Sequence, residues 1–353
     1  MPNQPRSSDV KRKSSRFFSL ATVLALPLML FGCPSSGPKP VDSRPADSSS
    51  SPAKSASEFD GDRAFEHVRK QVEFGPRPPG SPELEKTRGY IIDQLKANGL
   101  KVTTDEFHPV TPAGERKMVN VTAELPGESS DVIIVSSHYD TKLIKDFKFV
   151  GANDGGSSTG ELLELARVMA ANKTKPKFTY RFVFFDGEEA ICFDWEECHN
   201  PNPADPNKPL PDNTYGSRRY VAQLIDKQEL KRVRVMILFD LMGYKNLRLG
   251  RDDMSTGWLV DTVWQTAKQL GYGSIFVAAR EGVGGDDHEP FLRAGIDSLD
   301  IIQLSTYGVN DSEYWHTRED TLDKVSAKSL KTVGDVVMAS LPKIEERLQK
   351  HSR

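Results

Sequence analysis

Cysteine is nearly absent from this chain: three residues in 353, Cys33, Cys192 and Cys198. None stands in a CxxC spacing, so thiolate-bound zinc has no sequence support. An excess of one charge is missing as well. Lys plus Arg is 47 and Asp plus Glu is 50, a formal net charge of −3. No basic block lies beyond the first 16 residues, which leaves no nucleic-acid partner and no second membrane contact to expect. The apolar run from Phe17 to Phe31 is too short for a comfortable membrane span. There is no HExxH and no internal repeat.

What is present begins with a leader. Lys11, Arg12, Lys13 and Arg16 precede that apolar run, which ends Leu30-Phe31-Gly32-Cys33. Charge followed by a short apolar stretch is the order of a signal peptide, here residues 1–32. Its end resembles a bacterial lipobox, in which Cys33 would become the lipidated N-terminus; an ordinary signal anchor is the alternative. The lipobox reading implies an exported lipoprotein of the bacterial cell envelope, held at the membrane by its lipid alone. Residues 33–57 are rich in Ser, Pro and Ala with few large apolar side chains, the composition of a disordered tether. If Cys33 is lipidated, Cys192 and Cys198 are left either to pair across a short loop or to stay as thiols.

Residues 58–353 suffice for one large domain with a full core. Helical periodicity marks 61–74 and 83–98, the latter ending at Gly99. Alternating segments at 101–107 and 118–125 read as edge or antiparallel strands. Strongly apolar runs follow at 132–136, 182–185 and 233–239, with a weaker one at 299–304. Helices over 159–171, 215–226, 256–270 and 324–348 lie between or after them. This alternation predicts an α/β three-layer sandwich with a mixed, mostly parallel central sheet and a site at the carboxyl ends of its strands.

The residues after each apolar run carry the chemistry. The first run leads into His138-Tyr139-Asp140, the second into Asp186-Gly187-Glu188-Glu189, the third into Asp240, and the fourth, past a polar loop, into Trp315-His316. Asp154 sits in a glycine-rich loop, Gly151-Ala152-Asn153-Asp154-Gly155-Gly156, before a helix. Buried adjacent carboxylates are costly unless a cation or a proton compensates them. A glycine turn lets neighbouring side chains converge, so one Glu can bind a metal while the other moves a proton. Singly, His138 reads as a core histidine, Asp154 as a helix cap, Asp240 as a turn former and Glu188-Glu189 as a solvated acidic turn. Jointly they read as a zinc site of Asp, Glu and His ligands with a position left for water or substrate.

The ordered set His138-x-Asp140, GANDGG around Asp154, Glu188-Glu189, Asp240-x-x-Gly243, Asp286-Asp287-His288-x-Pro290-Phe291 and His316 resembles the zinc-dependent aminopeptidase and glutaminyl cyclase superfamily. Asp186-Gly187-Glu188-Glu189-Ala190, Trp195 shortly after it, and Trp315 directly before His316 resemble the glutaminyl cyclase branch. That resemblance implies Asp154, Glu189 and His316 as ligands of one zinc. Glu188 would be the general acid/base, Asp240 would orient the substrate amine, and Asp286 would share a hydrogen bond or proton with Asp240. Trp195 and Trp315 would wall the pocket, although either tryptophan also suits ordinary core packing. The implied substrates are peptides or proteins with an N-terminal glutamine. A second reading, a zinc aminopeptidase, would place two zinc ions, the second on His138, Asp154 and Asp240. A third, a lipoprotein that binds peptide N-termini without turnover, gives Glu188 no task.

Overall fold

The computed structural model describes residues 58–192, 202, 205, 207–304 and 314–351. The leader, Cys33, the tether, Trp195 and Cys198 lie outside the described residues. Cys192 is disulfide-bonded, which ends the free-thiol reading for that residue.

Helix α1 (Gly61–Phe74) is capped by Asp60, whose side chain accepts from the Asp62 amide at 3.0 Å. Helix α2 (Pro82–Ala97) starts with Pro at its first position behind the Ser81 cap, Leu84 N donating to Ser81 Oγ at 3.1 Å. Strand β1 (Lys101–Phe107) follows, then a small hairpin, β2 (Val110–Thr111) and β3 (Gly114–Glu115), then β4 (Met118–Leu125) and β5 (Ser129–His138). The chain continues through α3 (Gly156–Ala171), β6 (Phe178–Phe185), α4 (Tyr215–Asp226) and β7 (Val233–Phe239). Last come β8 (Leu249–Asp252), α5 (Gly257–Gln269), β9 (Phe276–Glu281), α6 (Glu289–Arg293), β10 (Asp297–Ile301) and α7 (Ala327–Lys350).

Six strands form the main sheet in the order β1-β4-β6-β5-β7-β10. β5, β6, β7 and β10 are mutually parallel, and β1 and β4 pair antiparallel at one side. The expected mixed, mostly parallel sheet is therefore what forms. Its central strands are apolar on both faces because each face is covered. Ile133 and Val135 of β5, Phe182 and Phe184 of β6, and Val235 and Ile237 of β7 pack with α1, α2, α3, α5 and α7. The alternate residues, Val132 and Ile134, Val183 and Phe185, Met236 and Leu238, pack with Tyr220, Val221 and Leu224 of α4 and Phe291 of α6. A period of two splits each run between two cores, and that split makes the three layers.

Five elements have no counterpart in the sequence pattern: β2 and β3 of the hairpin, the parallel pair β8 and β9, and α6. They run from two to six residues, too short to show a period.

Candidate metal centre and catalytic cleft

The parallel strands deliver their chemistry to one end. β5 closes on His138, β6 runs into Asp186-Gly187-Glu188-Glu189, and β7 runs into Asp240. Asp154 arrives from the loop before α3, and His316 from the segment after β10. Two glycines permit the convergence. Gly187 has φ +73°, and a Cβ there would stand 2.5 Å from Met118 Sδ. Gly155 has φ +72°, and its Cβ would meet Asp140 O at 2.6 Å and the His138 ring at 3.0 Å. Two non-glycine residues at the cleft also hold left-handed backbone, Leu241 at φ +44° and His316 at φ +53°. Such strain persists where the surroundings over-determine it, as active sites do.

Asp154 is the hub. Its Oδ1 stands 3.3 Å from His138 Nε2, and its Oδ2 stands 3.4 Å from His316 Nε2. His138 Nε2 also faces Asp240 Oδ1 at 3.2 Å, and His316 Nε2 faces Glu189 Oε2 at 3.2 Å. Two triads result, Asp154–Glu189–His316 and His138–Asp154–Asp240, sharing one carboxylate. All five side chains are buried or nearly so.

The separations fit ligands of a metal better than ion pairs. Charge-assisted N–H···O bonds run about 2.7–2.9 Å. The edge of a tetrahedron with zinc bonds of about 2.0–2.1 Å is about 3.3 Å. Asp154 Oδ2 and Glu189 Oε2 are buried without a hydrogen-bond partner, which leaves lone pairs aimed into the space between the residues. Electrostatics agree. Burial would lower His316, but Glu189 and Asp154 hold it up at about 9. Burial acts the same way on His138, yet Asp240, Asp140 and Asp154 raise it well above its ordinary value. Asp154, which burial alone would raise, is pulled down by the two imidazoles. The cluster favours positive charge at its centre.

Supporting residues fix these groups. Asp140 accepts from the amides of Glu188 and Glu189 at 3.2 and 3.3 Å and stands 3.5 Å from His138 Nδ1. A carboxylate behind a ligating histidine sets its tautomer and ring orientation. Asp320 accepts from the amides of Asn153 and Asp154 at 2.8 and 3.0 Å. Burial and the Asp154 charge push its carboxyl up to about 7. Arg77, fully buried, donates to Val150 O at 2.7 Å and Gly151 O at 3.0 Å, bracing the loop that carries Asp154. Neither Asp320 nor Arg77 was singled out from sequence. The cue for Arg77 was its place in the rigid turn Gly75-Pro76-Arg77-Pro78-Pro79-Gly80.

Beside the triads opens a cavity of about 200 Å³, lined by Asp154, Glu188, Glu189, Asp240, Asp286, His316 and a wall of Leu241, Val283, Ile302, Leu304 and Trp315. The Trp315 ring stacks on His316, centroids 4.1 Å apart. Glu188 faces this space, and burial with Asp286 and Glu189 nearby pushes its carboxyl well above the ordinary range. Burial is also the largest cause that lifts Asp240, to about 7; His138 opposes it and the Asp286 charge adds to it. The Asp286 charge is thus felt at Asp240, while the acid in hydrogen-bond reach of Asp286 is Asp300, a residue not singled out from sequence.

The profile of peptidase family M28 matches residues 120–341. The chain is similar to the solved structure of a glutaminyl cyclase from an Acidobacteriales bacterium, 36% identical with a TM-score of 0.72, over 86% of this chain and 100% of that one. It is also similar to a solved Porphyromonas gingivalis glutaminyl cyclase, 28% identical with a TM-score of 0.71, over 81% and 99%. The glutaminyl-peptide cyclotransferase of Dictyostelium discoideum is 26% identical over 311 residues, 75% of this chain and 81% of that relative. With the fold, the acidic–histidine cleft and these likenesses together, the chain belongs to peptidase family M28, in its glutaminyl cyclase branch.

Proposed function

We propose that this protein converts the N-terminal glutamine of peptides to pyroglutamate with release of ammonia. The observation that carries the reading is the cavity. At about 200 Å³ it is smaller than the roughly 300–1,000 Å³ of drug-sized pockets. Its apolar wall ends at the Glu188 carboxylate beside the Asp154–Glu189–His316 triad, with room for a single side chain. The likeness to solved glutaminyl cyclases supports the same reading.

Asp154, Glu189 and His316 would hold zinc, their spacing and unpartnered oxygens fitting that ion as set out above. Bound there, zinc supplies Lewis-acid polarisation of the glutamine γ-carboxamide oxygen. Asp240 accepts a hydrogen bond from the uncharged α-amine and points its lone pair at the carboxamide carbon. As the new C–N bond forms, Glu188 takes a proton from that amine. It returns the proton to the carboxamide nitrogen, whose C–N bond breaks, and ammonia leaves. Glu188 ends as it began, so a carboxyl raised toward neutrality suits both transfers. The Asp286 charge adds to the burial that lifts the Asp240 carboxyl, and the two acids would share a hydrogen bond or proton while Asp240 holds the amine. Trp315, with Leu241 and Val283, excludes bulk water, which would otherwise compete as nucleophile.

One observation favours a second reading. His138, Asp154 and Asp240 also converge, and a second zinc there would suit an aminopeptidase. The purified protein separates the two. A cyclase converts a Gln-initiated dipeptide amide to its pyroglutamyl product and leaves Leu-initiated substrates intact. Rapid release of free Leu would overturn the cyclase reading. We further propose that residues 1–32 direct export and that Cys33 carries a lipid anchoring the domain to the bacterial cell envelope, on the lipobox-like Leu30-Phe31-Gly32-Cys33.

A further inference from the structure

Beyond the two triads, on the far side of Asp286, lies a second buried acidic pocket. One donor atom each of Asp286, His288 and Asp300 lies within 4.8 Å of the others, and all three residues are buried. His288 and Asp300 are wholly inaccessible. Both His288 ring nitrogens and both Asp300 oxygens lack a hydrogen-bond partner. His288 Nδ1 faces Asp300 Oδ2 at 3.8 Å, too far for a hydrogen bond. His288 Nε2 faces Asp252 Oδ2 at 3.3 Å, and that same oxygen accepts from Ser255 N and Ser255 Oγ, both at 2.7 Å. No ion pair links Asp252, Asp286, Asp287 or Asp300 to a lysine or arginine among the described residues.

We propose that Asp286, His288 and Asp300 form a further metal site, taking a divalent first-row ion of the zinc type. Three arguments lead there. A buried pair of carboxylates beside an imidazole, with no lysine or arginine paired to it among the described residues, is costly to bury, and a cation between them would take up an orphaned lone pair of His288 and one of Asp300. One nitrogen and two oxygens are a borderline ligand set, which suits zinc over magnesium or calcium. The third argument is the arrangement behind the histidine. A ligating imidazole commonly turns its other ring nitrogen to a carboxylate. His138 does so with Asp140 in the cleft, and His288 repeats the plan with Asp252, itself pinned by Ser255. Asp286 also lines the cleft, which provides a route of entry. An ion here would tie the loop before α6 to β10 and, through Asp252, to β8. It would fix the wall that Val283 and Asp286 give the cleft. The site does not depend on which reaction the cleft performs.

The competing arrangement is a proton shared between Asp300 and Asp286, and metal analysis separates the two. The full chain is stripped with a chelator, reloaded with Zn²⁺ and dialysed, and its zinc is counted. Wild type should hold one equivalent more than His288→Gln and one more than Asp300→Asn. Crystals of the zinc-loaded wild type should show an anomalous peak at the zinc edge between Asp286, His288 Nδ1 and Asp300, besides the peak at Asp154, Glu189 and His316. Asp252→Asn should keep the site but weaken its zinc affinity by about 10–100-fold. Equal stoichiometry in wild type and both variants would overturn the proposal. So would a wild-type crystal with an anomalous peak at Asp154 and none at Asp300, a result that needs no variant to fold.

Discussion

Glu188 and Glu189 are adjacent, both buried and chemically alike, so exchanging each for its amide tests the division of labour directly. In Glu188→Gln the volume is kept, the Asp140 bond to the residue 188 amide is kept, and all three atoms proposed for zinc are untouched. No hydrogen bond among the described residues occupies the Glu188 carboxylate, so the substitution breaks no other contact. What disappears is a base facing the cavity. Removing a positioned general acid/base costs about 10²–10⁴ in turnover, or about 2.7–5.4 kcal/mol at about 1.36 kcal/mol per decade. Asp240, lifted to about 7, is already engaged by His138 Nε2 and the Leu241 amide, so it is a poor substitute. The loss should fall on kcat, measured as ammonia released from a Gln-initiated dipeptide amide, while zinc content stays parental. Glu189→Gln should instead lower zinc content, because it weakens a charged ligand facing His316. If Glu188→Gln keeps more than a tenth of parental kcat, or sheds zinc while Glu189→Gln retains it, the assigned roles are wrong.

Two further outcomes follow from regions away from that pair. Glu161, buried in α3 with neither carboxylate oxygen partnered, is held well above the ordinary range by burial, with Glu164 and Asp335 adding to it. The folded state therefore keeps a proton that the unfolded chain loses above about pH 4.3. Stability should fall as pH rises through that window, by up to about 1.4 kcal/mol per unit. Glu161→Gln, which stays neutral, should flatten the profile in urea titrations at fixed zinc, and an unchanged slope would refute the assignment. At the other end of the chain, Cys33→Ser should release the protein from membranes or block its maturation; a variant that fractionates with membranes like the parent removes the anchor.

How much of this was legible beforehand differs by element. The runs at 132–136, 182–185 and 233–239 announced central strands, since only a strand covered on both faces tolerates unbroken apolar sequence. Because such strands are parallel, their carboxyl ends share one edge, so His138, Glu188, Glu189 and Asp240 could be grouped from sequence alone. Order and residue type were enough to place the chain beside the glutaminyl cyclases. Direction and distance were not encoded locally. His138 and Asp240 are 102 residues apart and Glu189 and His316 are 127 apart. Only the folded sheet shows that Asp154 presents one oxygen to each histidine. The same holds for Asp320 and Arg77, whose partners are backbone groups of distant loops, and for β8 and β9, too short to carry a period. His288 sat in a recognised motif, yet its meeting with Asp252 and Asp300 depends on β8, α6 and β10 packing together. Local pattern states what a residue can do chemically, while tertiary packing decides which groups it does it with.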